Sequence, residues 1–154
     1  MRMSDFIVRS AIIPDLKATD KEGVIRELLE SLCRNGCFKD VDVEDIIKAV
    51  LKRELLGSTG IGEGIAIPHT KYNGVDKLVG VLGVSPTGVS FGSRDGEPVF
   101  VFVLIISPVD QPVLHLRALE TVSRVLRDEP LVKALRNCAT ADQLFEQMNQ
   151  YSKT

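Results

Sequence analysis

The sequence predicts a single α/β domain in which a mixed β-sheet is sandwiched between helices on both faces. Three observations predict it: two amphipathic helix patterns come first, a cluster of short strand patterns follows, and three further helix patterns close the chain. Helices on both faces of one sheet are the economical way to bury these patterns. Because 154 residues are the length of one ordinary domain, we expect residues 1–154 to form one unit.

Two helices are predicted before the strands. The segment "TDKE" (19–22) has the pattern of a capping box with Thr19 as N-cap. Apolar residues then recur at helical spacing until Asn35 and Gly36 end the helix. Asp42 is the expected N-cap of the second helix. Its apolar stripe is Val43, Ile46, Ile47, Val50 and Leu51.

Three strand patterns occupy the middle of the chain. "GIAI" (64–67) and "LVGVLGV" (78–84) are short and bounded by turn residues. "PVFVFVLIIS" (98–107) is nearly all apolar, which is typical of a strand covered on both faces. Residues 72–77 and 86–96 are rich in turn formers and predict hairpin-like connections, so the sheet is expected to be mixed.

Three helices are predicted after the strands. Pro112 opens the first, after Asp110 and Gln111 as candidate N-caps. Residues 128–130 break it, and a short helix is expected at 131–136. "TADQ" (140–143) is a second capping box and starts the last helix. The inward positions of the first of these helices are Leu116, Leu119, Val122 and Leu126.

The composition excludes several classes of protein. The formal net charge is −2 and there is no basic run, so no nucleic acid partner is expected. The longest apolar stretch is far too short to span a membrane, and the polar N-terminus does not resemble a secretory signal. The three cysteines predict reduced thiols in a cytoplasmic protein, and Cys33 and Cys37 are expected to be buried. Their spacing fits no zinc finger, so no metal is expected.

The glycine-rich segment "GIGEG" (60–64) does not predict a dinucleotide site. That motif places its glycines after a strand and before a helix, so that the helix N-terminus meets the pyrophosphate. Here the glycines follow a helix and precede a strand. Their expected role is to supply positive-φ turns at this corner. The sequence therefore predicts no cofactor of this kind.

A serine hydrolase is a remote alternative. "GVSFG" (88–92) matches the nucleophile-elbow pattern around Ser90, and Asp110 and His115 follow in a plausible triad order. An elbow, however, needs a strand before the serine and a helix after it. Turn-rich segments flank this motif on both sides, so a short strand between two turns is the favoured interpretation.

The first of only two histidines lies directly after a strand. Pro68 lacks an N–H group and restricts Ile67 to extended geometry, so the strand 64–67 is expected to end there. His69 would then lie just past the strand's C-terminal end, where ligands collect in sheets covered by helices. If His69 is considered alone, the more common interpretation is a solvated histidine in a loop.

The second histidine makes a functional interpretation more attractive. His115 lies in the first turn of the helix opened by Pro112, and it also follows a strand. If the two strands are parallel, both histidines meet at one edge of the sheet. A neutral imidazole can attack a phosphoryl group and hold it, and a helix start supplies N–H donors for the added charge. Arg53 could add a positive charge, although an ordinary surface arginine is equally consistent.

Longer segments resemble a known family. "LKRELLGSTGIGEGIAIPHTK" is similar to the active-site segment of enzyme IIA proteins of the bacterial phosphoenolpyruvate:sugar phosphotransferase system, fructose/mannitol type. "LKATDKEGVIRELLESL", "GVSFGSRDGEPVFVFVLIISP" and "HLRALETVSRVLRD" extend the resemblance over nearly the whole chain. Within that type the chain looks closest to the nitrogen-regulatory branch.

The resemblance implies a histidine phosphocarrier. His69 matches the histidine whose Nε2 accepts phosphate from HPr or its nitrogen-branch counterpart, His115 matches a second histidine that assists, and Arg53 matches a flanking basic residue. Sugar-branch relatives pass the group to a IIB partner, whereas nitrogen-branch relatives regulate other proteins. Thr70 stands where glycine is frequent. No IIB or IIC segment is recognised, so a free-standing IIA is expected.

Two further expectations remain open at this stage. A regulatory binding module without phosphoryl turnover would have the same fold, so the sequence does not separate it from a carrier. Transfer between proteins also requires a docking surface with an apolar centre. Ile61 and Ile65 are the candidates for this surface around His69, although strand alternation could bury one of them.

Overall fold

The computed structural model describes the backbone of residues 1–153 and the side chains of residues 1–150. This part of the chain contains five α-helices and five β-strands, preceded by two short 3-10 turns at Met3–Asp5 and Arg9–Ala11. The elements are α1 (Lys21–Arg34), α2 (Val43–Leu55), β1 (Gly60–Gly62), β2 (Ile65–Ala66), β3 (His69–Lys71), β4 (Val79–Val89), β5 (Val99–Ser107), α3 (Pro112–Val125), α4 (Glu129–Arg136) and α5 (Ala141–Lys153).

The sheet is built around β5. On one side β4 pairs with β5 in antiparallel orientation. On the other side β2 and β3 follow each other along β5, both parallel to it and in one unbroken register. β1 adds to the outside of β2 in antiparallel orientation. The predicted mixed sheet is confirmed. The second hairpin-like connection does join two neighbouring strands, but it comprises residues 90–98, because β4 continues to Val89.

The connection at residues 72–77 differs from the prediction. It joins β3 to β4, which lie on opposite sides of β5, so it crosses the end of the central strand and is not a hairpin. The N-terminal segment was also missed as part of the sheet. It runs beside β4, where the backbone N–H groups of Val8 and Ile13 donate to Gly80 and Leu82. This pairing covers an edge that would otherwise be exposed.

Helices cover both faces of the sheet, as predicted. The side chains of β5 alternate, so Phe102, Leu104 and Ile106 pack against α1 and α2. Val101 and Ile105 face the other way, toward α3, α4 and α5. All of these β5 side chains are fully buried. The continuous apolar run of β5 is therefore explained by two cores, one on each face.

Aspartate side chains cap three of the helices. Asp42 caps α2 as expected. Thr19 does not cap α1, because Asp20 occupies that position and its side chain accepts from the Gly23 N–H at 2.7 Å. Asp128 likewise caps α4, which therefore begins at Glu129, two residues before the predicted start. Aspartate side chains satisfy free N–H groups at a helix start as well as threonine does.

The glycine-rich segment forms the hairpin of β1 and β2. Gly60 pairs with Ala66, and Gly62 pairs with Ile65. Glu63 and Gly64 form the turn, with φ angles of 58° and 78°. Two successive positive φ angles define the tight turn that matches the twist of paired strands. The positive-φ prediction for this corner is confirmed, but the segment is a strand as well as a turn.

Because Glu63 has a left-handed backbone, Glu63→Gly is expected to stabilise the protein. The substitution relieves a steric cost of about 1 kcal/mol, less the added flexibility of glycine in the unfolded chain. We expect a net gain of a few tenths of a kcal/mol in urea unfolding. Glu97→Gly, in the β4–β5 loop, is the control and should lower stability. A loss in Glu63→Gly equal to that of the control would contradict the prediction.

Candidate functional site

His69 is the first residue of β3, beside the C-terminal half of β5. It pairs with Ile105, and the Pro68 carbonyl accepts a hydrogen bond from the Ile105 N–H at 2.9 Å. The strand β2 does end before Pro68, as the sequence predicted, but His69 does not lie in a loop, because the chain resumes pairing with β5 in the same register after the proline. Thr70 follows within β3, where a β-branched residue fits the extended backbone.

One hydrogen bond determines which nitrogen of His69 carries its proton. His69 Nδ1 lies 2.7 Å from the carbonyl oxygen of Ile67. A carbonyl oxygen only accepts, so Nδ1 is the donor and carries the hydrogen. In the neutral ring, Nε2 then has a free lone pair. Burial lowers the pKa of His69 below its ordinary value, although the bond to Ile67 opposes this shift, and the ring is therefore largely neutral at pH 7.

His115 lies next to His69. The two ring centroids are 5.4 Å apart and the ring planes are tilted by 52°. Pro112 is the first residue of α3, so His115 projects inward from the first turn and only 8% of its surface is exposed. β2, β3 and β5 are parallel, and the predicted meeting of the two histidines at one edge of the sheet is confirmed.

His115 is held by a hydroxyl group that the sequence did not suggest. Its Nδ1 forms a short hydrogen bond with Ser107 Oγ, at the end of β5. Burial, with help from the charges of His69 and Lys71, lowers the pKa of His115 from 6.5 to about 4. His115 is therefore neutral at pH 7. The only sequence signal for Ser107 is its position as the polar last residue of an apolar strand.

Arg53 lies at the C-terminal end of α2, which contacts β3. Its Nη1 donates to the Gly57 carbonyl at 2.9 Å. Its positive charge acts on the neighbouring ring and lowers the pKa of His69. This effect is smaller than that of burial, which also lowers the pKa, and than that of the Ile67 bond, which raises it. The three residues predicted from sequence, His69, His115 and Arg53, thus lie in one region.

A buried carboxylate beneath this region was missed. Glu54, with a side chain 3% exposed, accepts from Lys21 Nζ at 3.0 Å. It also accepts from the backbone N–H of Thr59 at 3.2 Å and forms a short bond with the Thr59 hydroxyl. The Thr59 carbonyl in turn accepts from the Ile67 N–H at 3.1 Å. Glu54 thus supports the peptide segment whose carbonyl holds His69.

A sequence signal for Glu54 existed. The residue follows Ile47 and Val50 at helical spacing, so it occupies an inward position on α2. A carboxylate at such a position is buried and therefore requires a cation or several donors. That pattern alone does not identify the partners of the carboxylate, because Lys21 and Thr59 lie in other parts of the chain.

Exposed aliphatic side chains flank the histidine pair. Leu55 and Leu56, two and three residues after Arg53, are 86% and 84% exposed, and Val113, two residues before His115, is 70% exposed. Leu116 is 56% exposed, so its predicted inward orientation is wrong. We call the set the apolar rim: Leu55, Leu56, Val109, Val113 and Leu116. Such a rim around a polar centre is typical of a protein-docking surface.

The two residues predicted for this rim lie elsewhere. Ile65 is buried, because alternation in β2 turns it toward the core. Ile61 is 39% exposed, but it lies in β1, the strand that pairs with β2. Ile65 pairs with Val101, whereas His69 pairs with Ile105. Ile65 therefore lies about 13 Å along β5 from the level of His69.

The structure contradicts the serine-hydrolase alternative. Ser90 directly follows β4, and the next element is the strand β5 and not a helix, so there is no nucleophile elbow. The neighbouring Val89 pairs with Val99, whereas His69 pairs with Ile105. Ser90 therefore lies about 20 Å along β5 from the histidine pair, and the serine bound to His115 is Ser107.

The remaining sequence expectations concern cysteines and membranes. All three cysteines are free, but the predicted burial of Cys33 and Cys37 is wrong, because Cys33 is exposed and Cys37, like Cys138, is half-buried. They lie at helix ends, where the core does not extend.

None of the helices in the described residues is both long and apolar enough to cross a bilayer.

Comparison with known proteins identifies the family. A family model described as "Phosphoenolpyruvate-dependent sugar phosphotransferase system, EIIA 2" matches residues 5–151. The chain is 31% identical over 145 residues to a nitrogen regulatory protein of Bradyrhizobium diazoefficiens, covering 94% of this chain and 93% of that protein. It is 33% identical over 153 residues to the fructose-specific EIIABC component of Bacillus subtilis, covering 99% of this chain but 24% of that longer protein.

Solved structures agree with this result. The nitrogen regulatory protein IIA-Ntr from Neisseria meningitidis superimposes with a TM-score of 0.86 at 25% identity, covering 95% of this chain and 98% of that chain. The mannitol IIA enzyme of Escherichia coli, solved in complex with its phosphorylated IIB enzyme, gives a TM-score of 0.75 at 25% identity, covering 92% and 95%.

These matches define the class as phosphotransfer components of the phosphotransferase system. The chain belongs to the type-2 EIIA family of that system, with both nitrogen-regulatory and sugar-specific relatives. The resemblance predicted from sequence is thereby confirmed, including its mixed α/β fold.

Proposed function

We propose that this protein is a histidine phosphocarrier. In this proposal Nε2 of His69 accepts a phosphoryl group from a phosphorylated HPr-like protein and transfers it to a IIB partner, or controls regulatory targets through its phosphorylation state. Residues 1–154 would act as one EIIA domain in the cytoplasm, without a cofactor or metal of their own.

The observation that carries the proposal is the bond from His69 Nδ1 to the Ile67 carbonyl, at 2.7 Å. It leaves the Nε2 lone pair as the nucleophile. As the Nε2–phosphorus bond forms, the bond from phosphorus to the donor breaks, and the donor keeps that electron pair. The Nδ1 hydrogen stays in place throughout, so the positive charge that develops on the ring remains stabilised by the Ile67 carbonyl. Transfer to an acceptor reverses these changes.

His115 and Arg53 are proposed to stabilise the transferred group. If the Ser107 hydroxyl donates to His115 Nδ1, the hydrogen of His115 lies on Nε2 and can be donated to a phosphoryl oxygen. Arg53 supplies positive charge. The N–H groups of Val113 and Leu114 in the first turn of α3 have no acceptor within the helix, which suits them to bind an anion.

The apolar rim supports protein partners. Leu55, Leu56 and Val113 remain exposed beside the polar centre. A small substrate would not need these exposed aliphatic side chains, whereas a protein partner could cover them. The structure of mannitol IIA with phosphorylated IIB offers a precedent for such a partner in the family.

Phosphorylation in a reconstituted system tests the proposal. The protein is incubated with phosphoenolpyruvate, enzyme I and HPr, and the intact mass is measured. We expect a single acid-labile phosphoryl group on the wild type and none on His69→Ala. Lys39→Ala, an exposed change on the loop after α1, should be phosphorylated normally.

The alternative is a regulatory binding module without turnover. It is favoured only by the nitrogen-regulatory relatives. Absence of the phosphoryl group, under conditions that label another EIIA protein and with the wild type folded, would support this module and contradict the carrier.

A further inference from the structure

A second concave site lies away from the histidine pair. It is a cavity of about 700 Å³ between the β1–β2 hairpin, the end of α3 and α4. Its floor is apolar and buried, formed by Ile65, Leu126 and Val132. This volume falls within the range of small-molecule sites, which also combine an apolar surface with a few polar groups. Nothing in the proposed phosphocarrier function uses it.

The rim of this cavity is positively charged. Four cationic side chains line it: Arg94, Arg127, Lys133 and Arg136. Two carboxylates, Glu63 and Glu129, also line it, so the lining carries an excess of positive charge in a chain whose net charge is −2. In the part of the chain that the structure describes, none of these four cations lies within ion-pair distance of a carboxylate. They are therefore free to bind an anion.

The walls of the cavity are preformed. The Glu63 N–H donates to Asp95 Oδ2 at 3.1 Å, and the Arg94 N–H donates to the Gly60 carbonyl at 3.3 Å, so the hairpin is tied to the β4–β5 loop. On the other side, Arg136 stacks on Phe100 with 3.7 Å from its guanidinium carbon to the ring centroid. A cavity with rigid walls requires little ordering when a ligand binds.

We infer that this cavity binds a small organic phosphate, with its phosphate groups on the cationic rim and its carbon skeleton on the floor of Ile65, Leu126 and Val132. Guanidinium groups match phosphate oxygens in charge and geometry. Inorganic phosphate would leave the apolar floor uncovered. The site is distinct from the histidine pair, because Ile65 lies about 13 Å along β5 from the level of His69.

Nuclear magnetic resonance titration with ATP tests the site, with adenosine and inorganic phosphate as comparison probes. We expect ATP to shift the backbone amides around the cavity, and to bind at least about tenfold more tightly than either comparison probe. Added salt should weaken binding. The same titration of His69→Ala should give the same shifts, so the result does not depend on phosphotransfer.

Two exposed cations allow a matched comparison. Arg127→Ala and Lys133→Ala should each weaken ATP binding by about tenfold, the effect of losing one charged hydrogen bond. Arg34→Ala, an exposed change on α1 in the opposite layer, should have no effect.

Four outcomes would overturn the inference. ATP could produce no shifts, or shifts confined to the surroundings of His69. Inorganic phosphate could bind as tightly as ATP, which would show that the apolar floor is not used. A glutamate-rich peptide could shift the cavity amides while ATP does not, which would assign the surface to an acidic protein segment.

Discussion

Glu54→Ala is expected to lower the free energy of unfolding by about 3 kcal/mol. The substitution removes a buried acceptor and leaves three donors without their partner: Lys21 Nζ and the N–H and hydroxyl groups of Thr59. Lys21 keeps some contact with solvent, since its side chain is 29% exposed, so the loss should fall at the lower end of the range for buried pairs. Urea unfolding measures it.

Glu44→Ala is the matched control for this prediction. Glu44 also belongs to α2 and also pairs with a cation, Arg26, but the two side chains are 47% and 36% exposed. An exposed pair contributes about 0.2–1 kcal/mol. Equal losses in Glu54→Ala and Glu44→Ala would show that burial of the Glu54 network does not matter.

A double-mutant cycle identifies the source of the Glu54 effect. In Lys21→Met the cation is already absent, so the further loss on removing Glu54 should be smaller than in the wild type. Because the charge of Glu54 also raises the pKa of His69, the Glu54→Ala variant should have a lower His69 pKa. A purely structural role would not move that value in this direction.

Acid should destabilise the wild type partly through His115. The folded pKa of this residue is about 4, below its ordinary value of 6.5, so between these values the unfolded chain binds a proton that the folded protein does not. The stability due to neutral His115 is therefore complete above pH 6.5 and is lost as the pH falls toward 4. The full loss is about 3 kcal/mol.

Comparison with His115→Gln isolates this effect. Glutamine does not titrate but can still form a hydrogen bond with Ser107, so the variant should lose less stability than the wild type between neutral pH and about pH 4. Carboxylates titrate equally in both proteins and cancel in the difference. Identical pH profiles would contradict the depressed pKa of His115. The measurement is urea unfolding across this pH range.

The local patterns of the sequence were sufficient for the order of the helices and main strands and for finding the two histidines. A histidine after Pro68 and a histidine one turn after Pro112 could be placed near strand ends because proline restricts the backbone in a known way. The parallel pairing of β2, β3 and β5 then brought the two rings to 5.4 Å. Sequence reasoning required that pairing as an assumption, because strand direction depends on long-range contacts.

Local patterns failed where the exposure or the role of a side chain depends on contacts between segments distant in sequence. Leu116 fits the apolar stripe of α3 but lies exposed, and Ile65 was expected at a rim but is buried. Ser107 and Glu54 acquire their roles only through His115, Lys21 and Thr59, which lie on other elements.

By itself, the sequence determined the five helices, the strands β2, β4 and β5, the family and the two histidines, because periodicity, capping residues and proline act within a few residues of themselves. Only the tertiary structure decided which nitrogen of His69 is free, how strongly His115 resists protonation, and which aliphatic side chains stay exposed. Those properties depend on burial and on hydrogen bonds between distant segments, and both exist only after the sheet and its two helical layers have packed together.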